Sequence, residues 1–388
     1  MRDFFHELKR FFRKGDMVLL ILCIATSAFG CLVVASATNA AKFGHSSRYM
    51  LVQVGCTLIG IAMYAAVSSI DASFFSEHRT FFTFFNICLL LLLVPFGTDN
   101  NTGNKSWIPL PIIGVHVQPA EICKIFFIVV LASVMASHQN RPSNYRNIIH
   151  MIIHLGLIAV VNYVVSGDLG VTMIFVAIFA GMFIAGGISW WWVLVGVVGV
   201  AAAFPILWTQ FFTPEQQNRI LVLFRPDLID PTGLDERWHT TQSLNSLTGG
   251  GMLGQGLFNG NRTQGGQLFA QHTDYIFSSL GEELGYVGCI FVIGLMLAII
   301  GRCIWVGAQS KDYMRRMVCF GAAFALMFQV MINVGMCLGV MPVVGLTLPL
   351  ISYGGSSIIA VYTMLGLVSG VHARPAPPIH ERYIRPPR

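Results

Sequence analysis

The sequence predicts an all-α polytopic membrane protein, with about ten transmembrane helices and a large extracytoplasmic loop between helices 7 and 8. Three observations predict it. Hydrophobic residues are 55% of the 388, charged residues only 11%, and mean hydropathy is +0.67. A soluble domain carries about 25% charged residues, so this chain has too few to make a water-compatible surface. Its apolar residues gather into runs long enough to cross a hydrocarbon layer of about 30 Å. Lys and Arg are shared unevenly between the two sides those runs define.

Residues 1–16, MRDFFHELKRFFRKGD, are basic and amphipathic, as expected of a cytoplasmic segment lying along the bilayer. The first span is expected at 17–37. A basic start, an apolar run and Ala35-Ser36-Ala37 imitate a signal peptide, but the run is longer than the usual h-region of about 7–15 residues. It reads as an uncleaved helix. Further spans are expected at 49–70, 81–96, 119–137, 148–165, 170–186, 190–212, 274–304, 317–341 and 347–371. The eighth is amphipathic at first and fully apolar only from Tyr286. The membrane domain covers 17–371, with 212–273 its long loop, and 372–388, rich in Pro and Arg, is expected to be a disordered cytoplasmic tail.

Orientation follows from the Lys and Arg count. With the N-terminus inside, sixteen of the 24 fall in the cytoplasm and seven outside, with Lys124 within a span. Four of the seven (Arg219, Arg225, Arg237 and Arg262) sit in the long loop, where the rule counts least. The loop is therefore placed outside and both termini in the cytoplasm. The net charge of +6 thus reports orientation rather than nucleic-acid binding. The nine cysteines lie in or beside apolar runs with no CxxC, which marks them as packing residues rather than disulfides or metal ligands.

Polar residues are conspicuous against this background. Glu121 and Lys124 share a helical face at spacing three. They form either a salt bridge that staples helices or the lining of a polar cavity in which Lys124 meets an anionic substrate. Asp168, in a short outside turn, is either an N-cap or a site residue. Trp107 is either an interfacial tryptophan or the wall of an outside cavity. Arg219 and Arg225, with Arg237 and Arg262, are candidates for binding phosphate, and Arg48 joins the substrate-binding candidates. Gly249, Gly251 and Gly254 spell GxGxxG, but a dinucleotide site needs a preceding strand and a βαβ unit, so these glycines serve close backbone approach. Asp274, Glu282 and Glu283 do not converge on one helical face as paired glycosidase carboxylates would. Asp274 can act alone as a base at the membrane boundary, and the two glutamates are expected to anchor their helix to other spans.

Several stretches then resemble one family. The run from Asn333 to Ser357, NVGMCLGVMPVVGLTLPLISYGGSS, resembles its C-terminal signature. Gln118 to Lys124 resembles its QPSE..K, with Ala120 in place of serine. Asp168-Leu169-Gly170 resembles its PDLG, with Gly167 where proline is usual. Gln242-Ser243, His272-Thr273-Asp274 and Glu282-Glu283-Leu284-Gly285 resemble its long-loop pattern, while Asn104-Lys105-Ser106-Trp107 replaces a more basic run. The chain is similar throughout to the SEDS family (shape, elongation, division and sporulation) of RodA, FtsW and SpoVE type membrane glycosyltransferases.

That resemblance implies polymerisation of lipid II into peptidoglycan strands at the outer face of the bacterial cytoplasmic membrane. It implies Asp274 as the essential acid, with Lys124, Glu121 and Trp107 functionally important. Gln242, Ser243, His272 and Ser352 join Arg48, Arg219 and Arg225 as substrate-binding candidates. A divalent cation, Mg or Mn, is expected to be held mainly by the substrate diphosphate. Expected partners are a class B penicillin-binding protein (a penicillin-binding protein 2-like transpeptidase), undecaprenyl diphosphate-linked glycan and membrane lipid. The short N-terminus leans the chain to the elongation type over division or sporulation types. A lipid II flippase and a non-catalytic scaffold are the alternative readings. Transporter sites usually lie near the midplane, whereas polar residues here collect at one face.

Overall fold

Asp16 starts the first span by accepting a hydrogen bond from Leu19 N–H, and the apolar run behind it forms α1, Met17–Ala37. The computed structural model describes residues 15–44, 47–98, 104–110, 115–233 and 235–374. Residues 1–14 of the expected amphipathic segment and the tail beyond 374 lie outside the described residues.

Among the described residues the later spans are α2 (Arg48–Ser68), α3 (Arg79–Phe96), α4 (Pro119–Ser137), α5 (Tyr145–Ser166), α6 (Leu169–Ala185), α7 (Trp190–Gln210), α8 (Ile276–Gln309), α9 (Tyr313–Cys337) and α10 (Gly355–Ala373). Nine of the ten are long and apolar enough to cross a membrane. The exception, α6, has 17 residues, about 26 Å of helix. The chain is thus an all-α multi-pass membrane protein, with one two-stranded exception. Ile108–Leu110 (β1) pairs antiparallel with Val115–Val117 (β2) just before α4.

Most of α4 and α10 is buried, and together they form the bundle's centre. Close approach of α10 to α2 depends on two glycines: a Cβ at Gly366 would lie 2.8 Å from Tyr64 O, and one at Gly60 would meet the Tyr362 ring at 2.7 Å. At the end of the bundle away from the long loop, Arg302 holds Asp16 through two bonds of 2.9 and 3.0 Å. Arg315 holds Asp71 there through one nitrogen, Nη2, which donates to both carboxylate oxygens at 3.1 and 3.0 Å. By contrast, α7 has no buried residue. It is tethered near its ends, by Trp192 Nε1 donating to Ser143 O and by Tyr163 OH donating to Phe211 O.

The long loop is largely helical, with Pro214–Phe224, Pro226–Ile229, Glu236–Gly250 and Asn261–Gln264. One span boundary differs from expectation by more than five residues, and one span is interrupted. The last helix begins at Gly355 rather than at 347, because residues 338–354 are spent on turns that reach back to the loop. Within α8, Gly285 adopts φ +68 and breaks the helix, one residue before the point where the sequence turns fully apolar. The loop's glycine-rich stretch fills that break. Gln255 and Gly256 N–H donate to Glu282 and Glu283 carbonyls, and Tyr286 and Val287 N–H donate to Gly251 and Met252 carbonyls.

The two glutamates just before this break bind mainly the loop, which corrects the expectation that they anchor α8 to other spans. Glu282 accepts from Arg262 N–H and from Thr263 N–H and Oγ1. Glu283 accepts from Gln264 Nε2, and only its bond from Ser36 Oγ, at 2.5 Å, reaches another span. Eight cysteines are buried and all nine are free, with Cys88 alone exposed.

The expected close-packing role of the glycines holds unevenly, and this is testable. Gly254 has φ +81, and a Cβ there would lie 2.2 Å from Glu283 O. At Gly249 a Cβ would meet only the Gln255 side chain, at 3.4 Å. Gly254→Ala should therefore destabilise the detergent-purified protein by more than about 1 kcal/mol. Gly249→Ala should leave the thermal midpoint close to wild type. Equal midpoints for the two variants would refute the seam.

Candidate active site

Asp274 ends the turns that lead into α8, just outside the span, and three consecutive carbonyls pin it. His272 O accepts from Tyr353 N–H at 2.8 Å, Thr273 O from Ser352 Oγ at 2.6 Å, and Asp274 O from Asn333 Nδ2 at 2.8 Å. Asn333 also donates to Leu346 O, so one amide ties the acid's backbone to the following turn. All three donors come from the C-terminal run that resembles the family signature. Its physical task is to hold this segment still.

The carboxylate of Asp274 is left open. It is partly buried, and among the described residues no hydrogen bond is made to it. Gly345, at φ +68, stands beside it, where a Cβ would come within 3.6 Å of Oδ2. Burial, reinforced by the negative charge of Asp168, pushes its pKa up to about 6, against the opposing pull of Arg219.

The facing wall is built from the α5–α6 turn and the start of α4. Asp168 caps α6 by accepting from Val171 N–H at 3.0 Å. Its other oxygen accepts from Ser106 Oγ at 3.2 Å and Gln118 Nε2 at 3.4 Å. Burial raises its pKa, opposed by the bonds from Val171 and Ser106, and the charge of Glu121 raises it further. The N-cap reading of Asp168 holds, and its second oxygen ties the cap to the Trp107 loop and the start of α4. Glu121 and Lys124 form a buried salt bridge of 2.8 Å, while Glu121 Oε2 is buried without a partner among the described residues. Trp107, next to Ser106, is half-buried and bridges to Thr98.

The other expected site residues divide. Of the loop arginines, Arg219 bears on Asp274 and is half-buried. Arg225 is exposed at the end of its helix, Arg237 pairs with Asp227, and Arg262 donates to Gln242 Oε1 at 2.7 Å. Arg48 is exposed at the start of α2, with its charge near Tyr353.

Three candidates have a side-chain oxygen hydrogen-bonded within the protein. Ser243 is fully buried, its hydroxyl shared between Ser278 Oγ and Cys337 O. Ser352 is spent on Thr273 O and Leu348 N–H. Gln242 is buried with its oxygen taken by Arg262. His272 packs edge-on against Phe43 and Tyr49. Burial, with Lys42 nearby, pushes its pKa down to about 4, so its ring is neutral at pH 7. Asn333, Ser106 and Gln118 were not picked out as site residues. Their only signal was membership of the quoted motifs, because side-chain-to-backbone bonding leaves no periodic trace.

The FtsW/RodA/SpoVE family, described as cell cycle proteins, matches residues 16–376. The chain belongs to it. The peptidoglycan glycosyltransferase MrdB of Escherichia coli K12 is 32% identical over 361 residues, covering 92% of this chain and 93% of the relative. A probable peptidoglycan glycosyltransferase FtsW of Trichlorobacter lovleyi is 30% identical over 370 residues, covering 92% and 93%. Among solved structures, a chain of a peptidoglycan synthase complex that coordinates polymerization and crosslinking superposes with TM-score 0.76 at 26% identity. It covers 96% of this chain and 99% of that one. The rod shape determining protein RodA of Thermus thermophilus shares the fold, with TM-score 0.67 at 23% identity over 92% and 96%.

The buried ion pair gives this family member a measurable signature. Lys124→Ala strands the Glu121 charge and should cost about 3–5 kcal/mol. The combined Glu121→Gln, Lys124→Met variant should be more stable than Lys124→Ala alone. Thermal unfolding of the three proteins checks the order, and a double variant less stable than the single one contradicts it.

Proposed function

We propose that this chain is a peptidoglycan glycosyltransferase that polymerises lipid II into β-1,4 glycan strands, with Asp274 as general base. The observation that carries the reading is the open carboxylate of Asp274, held rigidly by its backbone and poised to titrate near pH 6. A sugar hydroxyl is a poor nucleophile until a base takes its proton. Here the 4-hydroxyl oxygen of the acceptor GlcNAc attacks the donor's anomeric carbon. The bond to undecaprenyl diphosphate breaks with its electron pair, and the proton passes to Asp274. One carboxylate serves a single inverting displacement.

Positive charge for the leaving diphosphate is available from Arg219 and, if its pair with Glu121 opens, from Lys124. Among the described residues no three His, Cys, Asp or Glu side chains gather as a metal site. A divalent cation, Mg or Mn, would therefore be carried by the diphosphate, whose charge it offsets. The polyprenyl tails need a groove open to lipid, and the stand-off of α7 from the bundle supports one.

The setting follows from the same reading: the bacterial cytoplasmic membrane, with the loop outside and both termini cytoplasmic. We assign the elongation role on the MrdB relative, and a class B penicillin-binding protein as the transpeptidase acting in trans. The complex containing the similar solved chain supports that partner.

The test is glycan-strand synthesis from purified lipid II by this protein with its transpeptidase partner. Asp274→Asn should lower the rate about a hundred- to ten-thousand-fold while the fold survives. Polymer at the wild-type rate from that variant would remove Asp274 as the base. No polymer from the wild type, with partner and cation present, would favour lipid II translocation instead. In the active protein the rate should fall as pH drops below about 6. The sign follows from the role: the base works deprotonated, and its raised pKa brings protonation closer to neutrality. A profile flat down to pH 5 would count against it.

A further inference from the structure

We propose that Asp168 is a positioning residue for the Asp274 site, tying three wall segments together and holding a negative charge against the turn that stands beside Asp274. The inference rests on the reading of Asp274 as the base. Its geometry starts with one carboxyl group that joins three segments distant in sequence: the Trp107 loop through Ser106, the start of α4 through Gln118, and the start of α6 through Val171. An N-cap needs only the last of these bonds. The other two aim the carboxylate into the wall that faces Asp274.

The two acids stand on adjoining backbone. A Cβ on Gly170 would lie 2.6 Å from Val344 O, so α6 is seated directly against the turn at 344–345. Gly345 in that turn is the residue that stands beside Asp274 Oδ2. Two contacts thus separate the Asp168 cap from the proposed base. Among the described residues no cation is hydrogen-bonded to the Asp168 carboxylate; its donors are a hydroxyl, an amide and a backbone N–H. Such donors hold a charge in place without cancelling its field.

The other charged or titratable groups bearing on the pair are few. Arg219 acts on Asp274 from the Pro214–Phe224 helix, opposite in sign to Asp168. Glu121 acts on Asp168 from α4 and is itself paired with Lys124. Tyr275, whose hydroxyl burial pushes upward, and the Cys337 thiol also lie close to Asp274. Asp168 is therefore the side chain whose removal weakens the negative field at Asp274 without touching Asp274 or its backbone ties.

The experiment is the pH–rate profile of lipid II polymerisation by the full chain with its transpeptidase partner, for wild type, Asp168→Asn and Asp168→Ser. Asn and Ser cap helices about as well as Asp, so both variants keep the turn while losing the charge. If one fails to fold, the other carries the measurement. With a negative neighbour gone, Asp274 becomes a stronger acid, and the acid limb near pH 6 should move to lower pH. A purely structural role would lower the rate at every pH and leave the limb where it is.

An unmoved limb, or one moved upward, in a folded variant overturns the proposal. Asp274→Asn runs in the same assay. If it polymerises, the assignment of the base has failed. If it is inactive and the Asp168 variants keep the wild-type limb, only the present inference has failed.

Discussion

The rest of the molecule depends on one constraint: backbone groups near the hydrocarbon must be satisfied by protein. A bare peptide group there costs several kcal/mol. This chain leaves the helix twice at the loop face, at Gly285 and over 338–354, and each departure is answered by backbone from elsewhere. The loop's glycine stretch closes the first, with four hydrogen bonds across the break. The segment 272–274 takes up donors from the second. These two seams turn a connection of about sixty residues into a fixed part of the bundle, and they place a carboxylate where its helix begins.

The same economy sorts the acids. Glu282 and Glu283 lie about two turns further along the chain and are buried with their oxygens filled by loop and α1 donors. A carboxylate with saturated lone pairs is a structural anchor. Asp274 has its backbone filled and its side chain empty, which is what a proton acceptor requires. The distinction lies in hydrogen bonding, since all three acids sit within ten residues.

Architecture was largely legible in the sequence because the bilayer imposes long apolar runs that composition alone reveals. All ten spans appear where those runs lie. The misplaced start of the last helix has a physical cause: residues 347–354 are apolar enough to span, but Ser352 and Tyr353 are drawn to the 272–273 carbonyls. The site was legible in part. Asp274, Glu121, Lys124 and Arg219 stood out as charges among apolar neighbours. Ser243 and Ser352 were read as substrate ligands because a motif shows which residues matter and not whether a hydroxyl faces a cavity or a carbonyl. Asp168 was ambiguous for a similar reason, since a capping side chain has a second oxygen whose use the sequence does not reveal.

The charge arrangement also bears on the order of events in the proposed reaction. Lys124 is committed to Glu121, and Arg219 is the loop arginine whose charge reaches Asp274. A diphosphate arriving near Arg219 offsets the positive charge that favours the ionised form of Asp274, and adds negative charge of its own. Both changes raise the affinity of Asp274 for a proton. The base is therefore weakest in the empty site and strengthens as the donor binds. A carboxylate already raised by burial and by Asp168 needs only a modest further push to accept a hydroxyl proton in step with the departure of the diphosphate. The site couples its two chemical tasks through the field at one oxygen.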